Sequence, residues 1–227
     1  MPYIGQIDRG RLNPLIENLH NRVVELCEKS GDARQVLYGY FRYVANRVFE
    51  SAAMDAVEQY QGERKVRYWL IVDFQGIAMN IASELFDRAL AGKPKYKTQT
   101  FRMFCPLPTK HLDIIPGDSY LLNKELSALT NEIALLSGPS GHNYEGAYCG
   151  LVNYSMSILM PRVMMTLFDR KKLPQFSDVD IERLIGFWVS VAMEFYSEIA
   201  RPYEDKQIEK SGDVEVYKEI LKRLPLT

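Results

Sequence analysis

The strongest constraint on this chain is that it repeats itself. LNPLIENLHNRVVELCEKSG at 12–31 lies over LNKELSALTNEIALLSGPSG at 122–141 without a gap. The overlay pairs Leu12, Asn13, Leu19, Asn21, Leu26, Ser30 and Gly31 with Leu122, Asn123, Leu129, Asn131, Leu136, Ser140 and Gly141. A second block, at an offset larger by a few residues, pairs Leu70, Ile71, Ala78, Met79, Ser83 and Glu84 with Leu184, Ile185, Ala192, Met193, Ser197 and Glu198. A unit used twice must satisfy the same local physics twice, and its apolar positions recur at helical spacing in both copies.

In the first copy, Leu15, Ile16, Leu19, Val23 and Leu26 mark a helix over 13–29, with Asn13 as its cap, Pro14 at its first position, and Ser30-Gly31 as its stop. Asp32 with Gln35 reads as a capping box, and Val36, Leu37, Tyr40, Phe41, Val44, Val48 and Phe49 then form a broad stripe reaching about residue 59. After a break at Gln61-Gly62, Trp69, Phe74, Ile77, Ile81, Leu85 and Phe86 carry a third helix toward Gly92. The second copy gives a helix from Asn123 ended by the GPSG loop, another over 145–169 containing Pro161, and a third capped by Ser177. Ile185, Trp188, Ala192, Phe195 and Ile199 make one seam of that last helix, with Glu194, Glu198 and Arg201 on its flank. A short helix is expected over 213–223. Between the copies, 93–118 contains Pro94, Pro106, Pro108 and Pro116 and loses the helical period.

The expectation is an all-α protein: a first three-helix repeat at 1–92, an irregular proline-rich linker at 93–118, and a second repeat with a C-terminal tail at 119–227. A three-helix unit buries little core alone, so the two are expected to pack as one six-helix bundle related by a pseudo-two-fold. The 227 residues, with 47% hydrophobic and 25% charged content, suffice for that core. A formal charge of −1 argues against a surface uniformly adapted to nucleic acid or acidic membrane. The three scattered cysteines, Cys27, Cys105 and Cys149, suit a reducing, cytoplasmic compartment. No apolar stretch reaches the ~20 residues that a membrane span needs, and MPYIGQIDRG lacks the pattern of a signal region.

MPYI at 1–4, Val152-Asn153-Tyr154, and EFYSEIARPYEDKQIEKSGDVEVY at 194–217 together carry a likeness to a known family. They resemble a family of short prokaryotic and phage proteins of unknown function that begin MPYI, hold a Leu-Asn-Tyr block on the middle helix and end in a PYED…NGDVY signature. Here Ser211 stands where the family has Asn, Glu215-Val216 lengthen the tail before Tyr217, and the first repeat has ALAGKPKYK in place of the turn. The resemblance implies a helical fold and marks Asn153, Tyr154, Tyr203, Glu204, Asp205 and Asp213 as candidate ligand- or partner-binding residues. It implies no reaction and no cofactor.

Two chemistries are legible. Glu194, Glu198, Glu204, Asp205 and Asp213 gather oxygen ligands of the kind that hard cations require, in a carboxylate–metal enzyme acting on a phosphorylated substrate. Glu84 and Asp87 supply one acid pair for such an enzyme, but no matching pair lies on the preceding helix, so no metal site is assigned. His20, His111 and His142 share no metal-ligand spacing. Lys93, Lys95, Lys97, Arg102 and Lys110, interleaved with Tyr96, Phe101 and Phe104, are candidates for a polyanion such as nucleic acid. The bland alternatives are a solvated helix flank for the acids and a soluble connection for the linker. The reading that results is a module binding an unidentified protein or small ligand, with Arg201 and the RPYED turn either as its site or as a clasp in which Pro202 redirects the chain.

Overall fold

The computed structural model describes residues 4–59, 64–90, 93–94, 115–138, 144–173, 177–196 and 201. They form α1 (Gln6–Lys29), α2 (Ala33–Gln59) and α3 (Arg64–Ala89), a 3₁₀ turn at Ser119–Leu122, then α4 (Asn123–Ser137), α5 (Tyr144–Asp169) and α6 (Asp178–Phe195). No strand occurs among the described residues. The fold is all-α, and the six helices pack on one another as a bundle.

Most helix ends fall where the sequence puts them. Gly31 and Gly138 close α1 and α4 at φ of 79° and 78°, the left-handed region where a side chain would be strained. Asp32 Oδ1 accepts the backbone N–H of Arg34 at the start of α2. At α6, Ser177 donates through both its backbone N–H and its hydroxyl to Asp180 Oδ2, and the Asp180 N–H returns to Ser177 O. The start of α1 is a correction. Asn13 and Pro14 lie inside that helix, which begins at Gln6. Tertiary contacts extend it: Leu12 is fully buried, Arg11 pairs with Glu132 of α4 at 2.5 Å, and Asn13 receives a bond from α5. The donor that Pro14 lacks would have met Gly10 O, a single lost bond that these contacts outweigh.

The broad stripe of α2 makes it central, and it packs against every other helix. Tyr38 and Phe41 of α2 meet Phe187 of α6 at ring-centroid distances of 6.1 Å, and Phe187 stands edge-on to the buried Trp188 at 5.5 Å. The most extensive helix contact joins α3 to α6. These two run antiparallel, because Gln75 donates to Ala192 O near one end and Lys93, just past α3, pairs with Asp178 at the other. By contrast α1 and α5 run parallel, with Glu17–Arg162 at 3.5 Å, His20 Nε2 against Thr166 Oγ1 at 2.8 Å, and Glu28–Arg170 at 3.3 Å in register.

Two pairs of contacts between the repeats are reciprocal. Tyr43 of α2 donates to Asn123 Oδ1 at 2.6 Å, and Tyr154 of α5 donates to Asn13 Oδ1 at 2.9 Å. Asn13 and Asn123 are matched positions in the repeat. The residue before each tyrosine reaches the third helix of the opposite half: Arg42 pairs with Glu194 at 2.6 Å, and Asn153 accepts a bond from Asn80 Nδ2 at 3.4 Å. Asn80 and Glu194 follow the matched Ala78-Met79 and Ala192-Met193 steps. Replacing Tyr43 or Tyr154 by Phe is expected to cost about 1 kcal/mol in each case and to lower the melting temperature by about 2–4 °C. Calorimetry of the two variants checks that the losses are alike.

Residues 115–122, which lead into α4, are held by Tyr40 donating to Asp118 Oδ1 at 2.7 Å and by Ser119 Oγ donating to Pro116 O at 2.7 Å. Burial, the nearby Asp118 charge and Glu28 push the Cys27 thiol up to about 12. Burial, the bond to Asp118 and its charge raise the Tyr40 phenol as well. From the ordinary thiol value of 9.0 upward, the unfolded chain releases a proton that the folded chain keeps. The contribution of Cys27 is therefore complete below pH 9 and falls toward pH 12 by about 1.4 kcal/mol per pH unit, and that of Tyr40 begins to fall only above its ordinary value of 10.0. Melting temperatures across this range should decline less steeply for Cys27→Ala than for the parent chain.

Candidate functional site

Helix α5 is apolar on most of its surface, and its few polar residues therefore stand out. Asn153 and Ser157 lie one turn apart, with Tyr154 beside them. They face a cleft of about 610 Å³ whose opposite wall is the end of α3, Ile81, Glu84, Leu85, Arg88 and Ala89, and whose rim is Ile4 and Arg9 at the start of α1. Most of the lining is apolar. Gly150 and Ile158 complete the α5 wall, with no side chain at Gly150 to narrow the space.

The polar groups are held from behind. Asn153 is buried and is fixed by Asn80 of α3, while the Tyr154 hydroxyl is anchored to Asn13 of α1. Arg9 donates from Nε to Ile4 O at 3.1 Å and stands 5.6 Å from the centroid of the Tyr154 ring, a cation–π distance. Glu84 and Arg88 lie at 3.7 Å on successive turns of α3, too far for a strong hydrogen bond. Ser157 Oγ is shielded from solvent and has no hydrogen-bond partner. Two residues away, Ser155 Oγ is also buried but donates to Leu151 O at 2.9 Å, the usual solution for a serine in a helix.

The cleft brings together Asn153 and Tyr154 among the residues singled out in the sequence. Glu194 does not line the cleft, and its carboxylate is held by Arg42. Lys93 pairs with Asp178 at the start of α6. Arg201 is exposed. Glu198, Tyr203, Glu204, Asp205 and Asp213 lie outside the described residues, as do Lys95, Lys97, Arg102, Lys110, His111, His142 and the expected helix over 213–223. His20 is buried between α1 and α5, bonded to Thr166. Among the described residues no group of three His, Cys, Asp or Glu side chains is placed to hold a metal ion. Arg9, Arg88 and Ser157 had not been marked from the sequence. Their signal was there in part, as Asn153/Ser157 and Glu84/Arg88 pairs at i, i+4, but the sequence does not say that the two helices face each other.

No protein-family model, curated protein or solved structure matches this chain. Among the described residues no helix is long and apolar enough to cross a membrane.

A buried hydroxyl without a partner costs desolvation and returns nothing. Ser157→Ala is accordingly expected to leave the melting temperature unchanged or raise it, whereas Ser155→Ala should lose about 1 kcal/mol. Thermal unfolding of the two variants side by side makes the comparison.

Proposed function

We propose that this protein is a helical binding module that takes a small ligand in the cleft between α3 and α5. The observation that carries this reading is the convergence of Asn153, Tyr154 and Ser157 on one largely apolar cavity of about 610 Å³. Small-molecule sites are commonly of that kind, apolar walls with a few fixed polar groups, in the range of about 300–1,000 Å³. Asn153 and Tyr154 are also the residues that match the middle-helix block of the short prokaryotic and phage family, which supports that kinship and a prokaryotic or phage source. We further propose that the bundle descends from a duplicated three-helix unit. The reciprocal Tyr43–Asn123 and Tyr154–Asn13 bonds, at matched positions of the repeat, support it. A cytoplasmic location fits the scattered cysteines.

The carboxylate–metal reading has less support, because Glu194 is engaged by Arg42. A thermal-shift screen containing organic acids, amines, nucleotides, divalent metals and a short oligonucleotide tests the choice. A small organic ligand at 100 times its Kd should stabilise the fold by about 2.7 kcal/mol. Ala89→Trp, which fills the cleft from the end of α3, should abolish the shift. Stabilisation only by metals or by the oligonucleotide, or a ligand effect that survives Ala89→Trp, would overturn the assignment.

A further inference from the structure

The polar side chains that line the cleft are engaged within the protein. Arg88 approaches Glu84 at 3.7 Å on one face of α3, so that wall carries one charge of each sign. Arg9 is held by Ile4 O and by the face of the Tyr154 ring. The Tyr154 hydroxyl is spent on Asn13, and Asn153 is bonded to Asn80. The Ser157 hydroxyl is closed off from the space altogether.

What the described lining leaves open is apolar. Ile4, Leu85, Ala89, Tyr154 and Ile158 pack against the core without being buried in it, and all five line this one space. Each therefore keeps hydrocarbon in contact with water, which a bound molecule would cover. The walls are also elongated. Ile81, Leu85 and Ala89 stand at i, i+4 and i+8 on α3, and Gly150, Tyr154 and Ile158 repeat that spacing on α5. Eight residues of helix rise about 12 Å, so each wall is a straight stripe rather than a single pocket-sized spot.

We infer that the molecule taken by the cleft is uncharged and elongated, an aliphatic chain with no ionised group, laid along the two stripes. A carboxylate or an ammonium drawn between these walls would give up its hydration to side chains that are already matched. Each methylene laid on them gains the ordinary return of hydrocarbon removed from water. The inference rests on the cleft being the binding site, and the test separates the two.

The intact protein is titrated by calorimetry with butan-1-ol, hexan-1-ol, octan-1-ol, cyclooctanol, octanoate and octylamine, each below the concentration at which it self-associates. Affinity is expected to rise about three- to fourfold per methylene from butan-1-ol to octan-1-ol. Octan-1-ol should bind at least about fivefold tighter than octanoate, octylamine and the compact cyclooctanol. Arg88→Gln and Glu84→Gln should each change its affinity by less than about twofold. Leu85→Gln, a mild change on the α3 stripe, should weaken it at least about fivefold, and Ala89→Trp should abolish it. Either ion binding as tightly as the alcohol, cyclooctanol equalling octan-1-ol, no gain with chain length, or binding of none of the six overturns the inference and leaves the cleft reading to its own thermal-shift screen. Octan-1-ol binding that survives both Leu85→Gln and Ala89→Trp lies elsewhere on the protein, and the cleft reading then fails with the inference.

Discussion

The antiparallel contact of α3 with α6 is the interaction on which the rest of the bundle depends. Each half contributes three helices. The third helix of one half lies along the third helix of the other, the middle helices pack on these, and the first helices pack on the middle ones and on each other. Gln75–Ala192 and Lys93–Asp178 mark its two ends. Hydrophobic burial supplies the attraction but not the register, because it is non-directional. The directional part falls to a small set of polar contacts across the halves: Tyr43–Asn123, Tyr154–Asn13, Arg42–Glu194 and Asn80–Asn153.

Much of the fold was legible because helix punctuation is local. Ser177 with Asp180, Gly31 and Gly138 act within a turn of themselves, and their meaning survives without knowledge of the rest of the chain. Asn13-Pro14 misled for the converse reason. The same two residues that would start an isolated helix are carried inside a longer one when Leu12 has a core to enter and Arg11 has Glu132 to meet. Local signals state a preference of about 1–3 kcal/mol, and several tertiary contacts together exceed it.

The candidate site was half legible. Asn153 and Tyr154 could be found because polar residues on an otherwise apolar helix are conspicuous. Their counterparts Arg9 and Arg88 could not, since an arginine near a helix end is usually a solvated residue and nothing local marks it otherwise. Glu194 illustrates the reverse error of emphasis. On the sequence it belongs to an acidic group, yet in space it sits beside Arg42, which comes from the other repeat and more than a hundred residues away. Side-chain pairing between the two halves is decided by how they pack, and the spacing within one half does not contain it.

The two middle-to-third-helix contacts also differ in charge. The middle-to-third-helix contact is not the same in the two halves. One has an arginine and a glutamate, at 2.6 Å, and the other has two asparagines, at 3.4 Å. The ion pair ties its helices together and satisfies its own charges, so that side is complete as folded. The amide pair is weaker and neutral. Because the walls of the cleft come from α3 of one repeat and α5 of the other, a molecule bound there would touch both. Its binding energy would then add to the contact between the halves, so occupancy of the site and cohesion of the bundle would be thermodynamically linked.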